Sequence, residues 1–370
     1  MTADPLRIAL IASSRYPIRQ PFPGGLESHV WYLARTLSGD GHHVTLFAGP
    51  GSDRTLGCAH LQVRTLDVSH AARQDVSMPS MWFMQEHHAY LQLMLDLSGP
   101  LAESFDVVHN HSLHYLPVAM ASAVPAPVLS TLHTPPTPWL ESALAVRSGA
   151  GAHFAAVSRH TAAAWQHAVD DIEVVPNGVD LDSWPEGRGG PHLIWFGRLV
   201  PEKGAHVAVD AARRAGFPIV LAGPISDAEY FDRMIRPRLG PEVTYLGHLA
   251  QPELAAAIGG AAATLVTPLW DEPYGLVVAE SLACGTPVAA FARGGIPEVL
   301  TPDCGSLVAA GDVPALARAI PDVVGRSRAA ARAHARERCS ERRMVDTYVD
   351  LYRRLARGHT RPRAQGRATP

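Results

Sequence analysis

The sequence predicts two α/β domains, each built on a parallel β-sheet, that face each other across a cleft. The length of 370 residues is too great for one ordinary α/β core and suits two domains of about 150–200 residues. In both halves, short apolar runs alternate with segments of helical period, which is typical of βαβ units. Residues 176–191, between the halves, are rich in Pro, Gly and Asp, as expected of a linker. We therefore predict domains at residues 1–182 and 183–341.

The first half contains five apolar runs that we interpret as strands. A helix is predicted after the first run, because apolar side chains from Leu26 to Leu37 recur at helical spacing behind Gly24 and Gly25. The predicted strands are Arg7–Ser13, Val44–Ala48, Asp106–His109, Val128–His133 and Ala155–Ser158.

The second half repeats this rhythm. Strands are predicted at Leu193–Phe196, Ile219–Ala222, Val243–Leu246, Thr264–Thr267 and Val288–Phe291, and helices at Ala205–Ala215, Ala228–Leu239, Glu253–Gly259 and Leu276–Cys284. A last amphipathic helix, residues 342–357, is expected to cross back to the first domain, and the polar tail 358–370 is expected to be disordered. Because parallel sheets bind ligands beyond the carboxyl ends of their strands, the cleft is the expected binding site.

Composition narrows the range of partners. A net charge of −3 gives no reason to expect nucleic acid. The N-terminal apolar run is too short for a membrane span or signal core, and no basic amphipathic helix is evident, so we expect a cytoplasmic protein without stable membrane insertion. The four cysteines lack CxxC spacing, which favours reduced thiols over a zinc site or a disulfide framework. The oligomeric state stays open.

One lysine stands out from the other basic residues. Lys and Arg total 32, yet Lys203 is the only lysine in the chain. An ammonium group is a compact point charge that arginine cannot replace in a tight phosphate pocket. Lys203 follows Arg198 by five residues, in a loop between a predicted strand and helix. Together they could close on one diphosphate; a solvated charge pair is the alternative.

A second candidate site is the segment from Asp271 to Val288. Glu272 precedes a predicted helix and Glu280 lies about two turns inside it. The helix N-terminus, at Gly275, Leu276 and Val277, presents free N–H groups and the positive end of the helix dipole, which suit a diphosphate. The two carboxylates could accept hydrogen bonds from sugar and ribose hydroxyls. Taken singly, they are equally compatible with helix-terminal charge and a satisfied buried acid.

The first domain offers weaker candidates. Gly24 and Gly25 form a turn at a helix N-terminus, which suits close phosphate approach. His133 ends a predicted strand, where catalytic residues of α/β folds collect. His109 and His111 are two apart on a strand and so share one face. An acceptor-pocket role, a metal pair and a structural role all stay open for these two; because no carboxylate is placed to join them, we predict no metal.

The segment 271–288 and its continuation, Gly294 to Glu298, resemble the paired-glutamate motif of retaining glycosyltransferase family 4, with Tyr274 where Phe is usual. The resemblance implies a GT-B fold, that is, two Rossmann-like domains facing across a cleft. It implies that Glu272 contacts the donor sugar and Glu280 the nucleotide ribose. The intervening backbone, including Tyr274, would hold the diphosphate.

The resemblance extends to the other candidates. It implies that Arg198 and Lys203 form the diphosphate clamp of the family, that Gly24 and Gly25 are its first-domain glycine loop, and that His133 is the histidine it carries at this strand end. The match covers residues 7–357 and is most specific in 193–298. Acceptor residues match loosely.

We therefore expect an enzyme that moves a hexose from a nucleotide diphosphate sugar, with a UDP-sugar favoured, to a hydroxyl group of a small-molecule acceptor such as a natural product. No metal is expected, because cationic side chains can neutralise the diphosphate. No pyridoxal phosphate is expected, because the only lysine already lies in the clamp. A nucleotide-sugar epimerase, a phosphorylase and a non-catalytic sugar sensor are the alternatives. Trp139 and the stretch Met78–His88 indicate an aromatic or amphipathic acceptor, although core packing explains them equally well.

Overall fold

The computed structural model describes residues 4–57, 59–61, 68–77, 80–146 and 151–358. Within these residues the chain forms two six-stranded sheets in which all neighbouring strands are parallel. The predicted α/β fold is confirmed. The tail from 359 onward lies outside the described residues, as do Cys58 and the first two residues of the stretch Met78–His88.

The first sheet has the strand order β2-β1-β3-β4-β5-β6. Its strands are β1 (Arg7–Ile11), β2 (His43–Phe47), β3 (Val107–Asn110), β4 (Val128–Leu132), β5 (Ala152–Ala156) and β6 (Ile172–Val174), and its helices are α1 (Gly25–Gly39), α2 (Met81–Ser98), α3 (Leu116–Ala119), α4 (Pro138–Val146) and α5 (Arg159–Trp165). The winding reverses between β1 and β3, so the loops after these two strands open into one crevice.

The second sheet has the order β12-β11-β10-β7-β8-β9, the doubly wound arrangement of a dinucleotide-binding fold. Its strands are β7 (Leu193–Phe196), β8 (Ile219–Ala222), β9 (Val243–Tyr245), β10 (Ala263–Val266), β11 (Val288–Phe291) and β12 (Gly305–Val308), and its helices are α6 (Ala205–Ala215), α7 (Ala228–Tyr230), α8 (Gln251–Gly259), α9 (Leu276–Ala283), α10 (Ile296–Val299), α11 (Val313–Val324) and α12 (Arg328–Arg338). Here the winding reverses between β7 and β10, which places the loops after these strands at the ligand crevice.

The last helix, α13 (Glu341–Gly358), returns to the first domain as predicted. Its apolar face, including Tyr348 and Tyr352, packs in the same core cluster as Ile8 and Leu10 of β1. Arg342 Nη1 also lies 2.7 Å from Asp40 Oδ2 beyond the end of α1.

One predicted helix is wrong, because the segment is not a regular α-helix throughout. Residues 228–239 were expected to form a single α-helix, but α7 ends at Tyr230 and continues as a π-helix, Phe231–Ile235, and a 3₁₀ turn, Arg236–Arg238. Pro237 has no N–H to donate, and its ring would clash with the carbonyl four residues earlier. The segment therefore changes its winding before the proline.

Candidate active site

The two crevices open into one cleft, with a cavity of about 480 Å³ between the domains. Most of the site residues predicted from the sequence line it. They are Gly24, Gly25, His133, Arg198, Lys203, Glu272, Tyr274, Gly275, Leu276, Val277 and Glu280. His109, His111 and Trp139 are not part of this lining among the described residues.

Lys203 and Glu272 form an ion pair at the switch point of the second sheet. Lys203 follows β7 and Glu272 follows β10. The ammonium Nζ lies 2.9 Å from Glu272 Oε1 and 2.6 Å from Oε2. Trp270 also holds this carboxylate, donating from Nε1 to Oε2 at 2.9 Å, and the ammonium lies 5.0 Å from the indole centroid. Glu272 is therefore held in one orientation by two donors.

Gly204 allows the loop that carries Lys203 to contact the loop that follows β10 and carries Glu272. Gly204 has φ +70°, and a Cβ there would lie 2.0 Å from the carbonyl oxygen of Thr267. Thr267 Oγ1 in turn donates to the Gly204 carbonyl at 2.9 Å. Only glycine fits this left-handed position against a backbone. The close contact brings the loop after β7 against the loop after β10.

The N-terminus of α9 faces the glycine loop of the first domain. Gly275, with φ +99°, precedes the helix and has no side chain to cover its first N–H groups. A Cβ on Gly25, at the start of α1, would lie 2.8 Å from Leu276 Cδ1. Two helix N-termini thus converge on the cleft from opposite domains, which makes it a favourable place for an anion.

Arg198 lies on the same wall as Lys203 but has no hydrogen bond or ion pair with any described residue at these distances. Its charge acts on Glu27, in the first turn of α1. Burial raises the pKa of the Glu27 carboxyl, and the positive charge of Arg198 acts in the opposite direction. Five guanidinium donors are therefore available to a ligand in the cleft. Sequence reasoning did not assign Glu27 to the site.

Glu280 lies in the second turn of α9, beyond Gly275, and also lines the cleft. Its carboxylate has no hydrogen-bond partner among the described residues. Burial raises the pKa of this group to about 7. A desolvated carboxylate that lines the cavity is suited to accept hydrogen bonds from paired hydroxyl groups.

His133 is the cleft end of a buried imidazole chain. Its Nε2 lies 3.0 Å from His111 Nδ1, and His111 Nε2 lies 3.1 Å from His109 Nδ1. Burial, then the neighbouring histidines, lowers the pKa of His133 and His111 well below its usual value, so both are neutral at pH 7. His109 and His111 are both 0% exposed. Neither ring is exposed to the cleft, so the acceptor-pocket role, one of the three left open for these residues, stays a prediction that no contact among the described residues supports.

Two further predicted residues lie at the margin. The ring of Tyr274 is 4% exposed, and its hydroxyl faces Cys339, so a ligand can meet only its main chain. Trp139 is 55% exposed and stacks on Tyr115 with ring centroids 5.3 Å apart. It belongs to an aromatic surface beside the cleft. The surface also includes Phe83, 5.9 Å from Trp139, and Trp82, which carries the guanidinium of Arg15 over its ring.

First-domain residues that sequence reasoning missed hold the Glu272 loop. Ser158 and Thr161, at the start of α5, donate hydroxyl hydrogen bonds to the carbonyl of Pro273 at 2.6 and 3.1 Å. Glu298 accepts from the backbone N–H groups of Arg159 and His160 at 2.9 and 2.7 Å. Glu298 lies within the motif named above and was the available signal. These contacts couple the donor-side loop to the first domain.

None of the helices in the described part of the chain combines the length and apolarity that crossing a bilayer requires.

Two family models match most of the chain. The model described as glycosyltransferase family 4 matches residues 23–183, and the model described as glycosyl transferases group 1 matches residues 190–325.

Known proteins match along nearly the whole chain. Glycogen synthase of Mycobacterium tuberculosis is 27% identical over 368 residues, covering 88% of this chain and 87% of its own. Sucrose-phosphate synthase of Thermosynechococcus elongatus has the same fold, with a TM-score of 0.75 and 20% identity over 95% of this chain and 100% of its own. HepE of Anabaena, solved with UDP and glucose, has a TM-score of 0.71 and 18% identity over 94% of this chain and 100% of its own.

Both halves of the chain thus match glycosyltransferase families, and both sheets have the corresponding topology. The chain belongs to glycosyltransferase family 4 and is a glycosyltransferase with the GT-B fold.

Proposed function

We propose that this enzyme retains anomeric configuration while it transfers a hexose from a nucleotide diphosphate sugar, with UDP-sugar favoured, to a hydroxyl group of a small-molecule acceptor. The observation that carries the proposal is the Lys203–Glu272 pair beside the open N-terminus of α9. It supplies, in one place, a cation and backbone donors for a diphosphate and a carboxylate for a sugar. UDP is favoured because HepE, which shares the fold, holds UDP and glucose.

Counting hydrogen-bond sites assigns separate roles to the two cations. Lys203 uses two of its three N–H donors on Glu272, which leaves one for a phosphate oxygen. Arg198 keeps its full set of donors and would bind the diphosphate on two oxygens. Together with the N–H groups of Leu276 and Val277, they would neutralise the charge that develops as the glycosidic bond breaks. A divalent metal at the diphosphate is then unnecessary.

The same count limits Glu272 to orienting the sugar. Its carboxylate accepts from Lys203 at both oxygens and from Trp270 at one, so about one of its roughly four acceptor positions is left. One sugar hydroxyl fits that position. The carboxylate is thus too engaged to act as a nucleophile, and the proposed base is the donor phosphate. It would take the proton of an acceptor hydroxyl that attacks from the leaving-group face.

On the opposite wall, His133 would bind the sugar from the first domain. It is neutral, so it can donate or accept a hydrogen bond without placing a full charge beside the anomeric carbon. The aromatic surface of Trp82, Phe83, Tyr115 and Trp139 lies beyond it on the acceptor side. Exposed aromatic rings favour an acceptor with apolar or ring faces.

Calorimetric titration of UDP, GDP, ADP and dTDP in EDTA tests the donor half. We expect one nucleotide to bind best, and Lys203→Ala to weaken its binding by about 10–100-fold, because a charge-assisted hydrogen bond contributes about 1.5–3 kcal/mol. Arg293→Ala is the matched control. It removes a cation that pairs with Asp271 at 3.0 Å outside the cavity lining. Equal losses in both variants, or no nucleotide binding at all, would contradict the proposal.

A further inference from the structure

His29 lies one turn into α1 and is a buried polar side chain that the proposed reaction does not use. It is 3% exposed, and both ring nitrogens lack a hydrogen-bond partner among the described residues. A neutral imidazole carries one donor and one acceptor, and leaving either buried and unpaired costs about 1–3 kcal/mol. Among the described residues, five other buried side-chain atoms lack a partner, but His29 alone has two, so this residue calls for a ligand.

Two other histidines face it. The rings of His29, His111 and His133 form a nearly equilateral triangle, with centroids 5.1, 5.0 and 5.2 Å apart. One nitrogen from each ring lies within 4.8 Å of the other two. Two nitrogens bound to one tetrahedral zinc ion are about 3.3 Å apart. The widest separation in the triangle must therefore shorten by at most about 1.5 Å, within the reach of side-chain rotation.

The surrounding hydrogen bonds suit a metal-bound state. If His111 binds through Nδ1, its Nε2 carries the proton and donates to His109 Nδ1, 3.1 Å away. His109 Nε2 then donates to Thr131 Oγ1 at 2.7 Å, and the threonine hydroxyl donates to Tyr348 at 3.1 Å. The hydroxyl of Tyr352 also lies 2.6 Å from His109 Nδ1, which has a single lone pair, so it gives up its donation there when His111 Nε2 donates. Metal-binding histidines are normally oriented by such partners.

We propose that His29, His111 and His133 form a transition-metal site that binds Zn²⁺ through three imidazoles, with a fourth position open. Three neutral nitrogen ligands without a carboxylate favour zinc over magnesium or calcium. The site lies in the first domain and takes no part in holding the diphosphate, so it goes beyond the proposed transfer reaction. Binding through His133 Nε2 would leave the proton on Nδ1, which makes His133 a hydrogen-bond donor toward the cleft.

Co²⁺ titration of the untagged enzyme, freed of metal by EDTA and dialysis, tests the site directly. We expect one equivalent to produce the visible absorption of four-coordinate cobalt, and Zn²⁺ to displace it. His29→Ala and His133→Ala should each weaken binding at least ~100-fold. The control His160→Ala, which removes an exposed histidine of the same domain, should bind as wild type does. His133 faces the cleft, so its removal leaves the core filled and keeps the test valid if His29→Ala does not fold.

Every outcome of the cobalt titration either supports or overturns the metal site. One equivalent bound by wild type and control, and lost in both cluster variants, supports the site. Absence of binding in wild type, or equal binding in His133→Ala, overturns it. Nucleotide titration in EDTA is run on the same samples. If UDP binds while cobalt does not, the metal site is refuted and the proposed transferase function stands. If cobalt binds while UDP does not, the metal site stands and the proposed function is refuted.

Discussion

The raised pKa of Glu280 predicts that donor affinity depends on pH. Burial holds the pKa of this carboxyl at about 7, and only its ionised form offers both oxygens purely as acceptors, one to each ribose hydroxyl. With that pKa, the ionised fraction rises from about 9% at pH 6 to about 91% at pH 8. If the ionised form alone binds ribose well, the Kd for UDP should fall about tenfold over this range, or about 1.4 kcal/mol. The sign follows because binding favours the charged carboxylate and so lowers its pKa in the complex.

Calorimetry of UDP binding between pH 6 and pH 8 measures this effect. The phosphate of UDP also titrates near pH 6, so the Glu280→Gln variant is titrated beside wild type and its slope is subtracted. Titration in two buffers of different ionisation enthalpy should show that wild type releases protons on binding at pH 7 and that the variant releases fewer. If the two proteins have the same pH slope and the same proton release, Glu280 does not bind the ribose in the way argued.

Four other perturbations separate the remaining roles. Glu272→Gln should lower kcat about 100-fold while changing the Kd for UDP less than threefold, because the carboxylate orients the sugar rather than the nucleotide. Trp139→Ala should raise the KM for acceptor and leave UDP binding and the melting temperature unchanged, since the ring is exposed; an unchanged KM would remove it from the acceptor surface. Gly294→Ala should abolish nucleotide binding, because its Cβ would lie 2.1 Å from the Glu272 carbonyl oxygen, whereas Gly311→Ala, also at positive φ but in open space, should bind UDP normally. Arg328→Ala should destabilise the second domain by about 2–4 kcal/mol in urea titration, because its guanidinium donates to the carbonyls that close that domain.

The second domain could be predicted almost residue by residue except for its last strand; its other edge strand, β9, was predicted at Val243–Leu246. The bounds of β7, β8, β11 and α6 are as predicted, because strands buried on both faces read as continuous apolar runs. β6 and β12 were missed. Each is the last strand of its sheet, is only partly buried, and so lacks the hydrophobic pattern on which a sequence-based assignment depends.

The residues of the site also divide into those that the sequence predicts and those that it does not. Arg198, Lys203 and Glu272 stand in short motifs whose spacing already indicates a diphosphate, and the structure gathers all three around one cavity. His29 was missed because its role arises from contacts between segments far apart in sequence, whereas Trp270 lies two residues before Glu272 and its hydrogen bond to that carboxylate depends on the conformation of the loop. His29 sits among apolar residues of a helical pattern, where a histidine reads as core. Only the fold brings it beside His111 and His133.

The topology also explains why the acceptor is harder to predict than the donor. Each sheet reverses its winding once, and each reversal opens one crevice. In the second domain the crevice is built from two charged loops and a helix N-terminus, which any nucleotide diphosphate can use. In the first domain it is bounded by the segment after β1, the start of α2 and the start of α4, where Arg15, Trp82 and Trp139 lie. Glycogen synthase matches 88% of this chain in sequence and sucrose-phosphate synthase matches 95% of it in fold, yet their names denote a polymer and a sugar phosphate. Acceptor choice must therefore depend on side chains that can vary while the fold is kept. Side chains on these first-domain segments meet that condition, because they neither pack within the sheet nor contact the diphosphate.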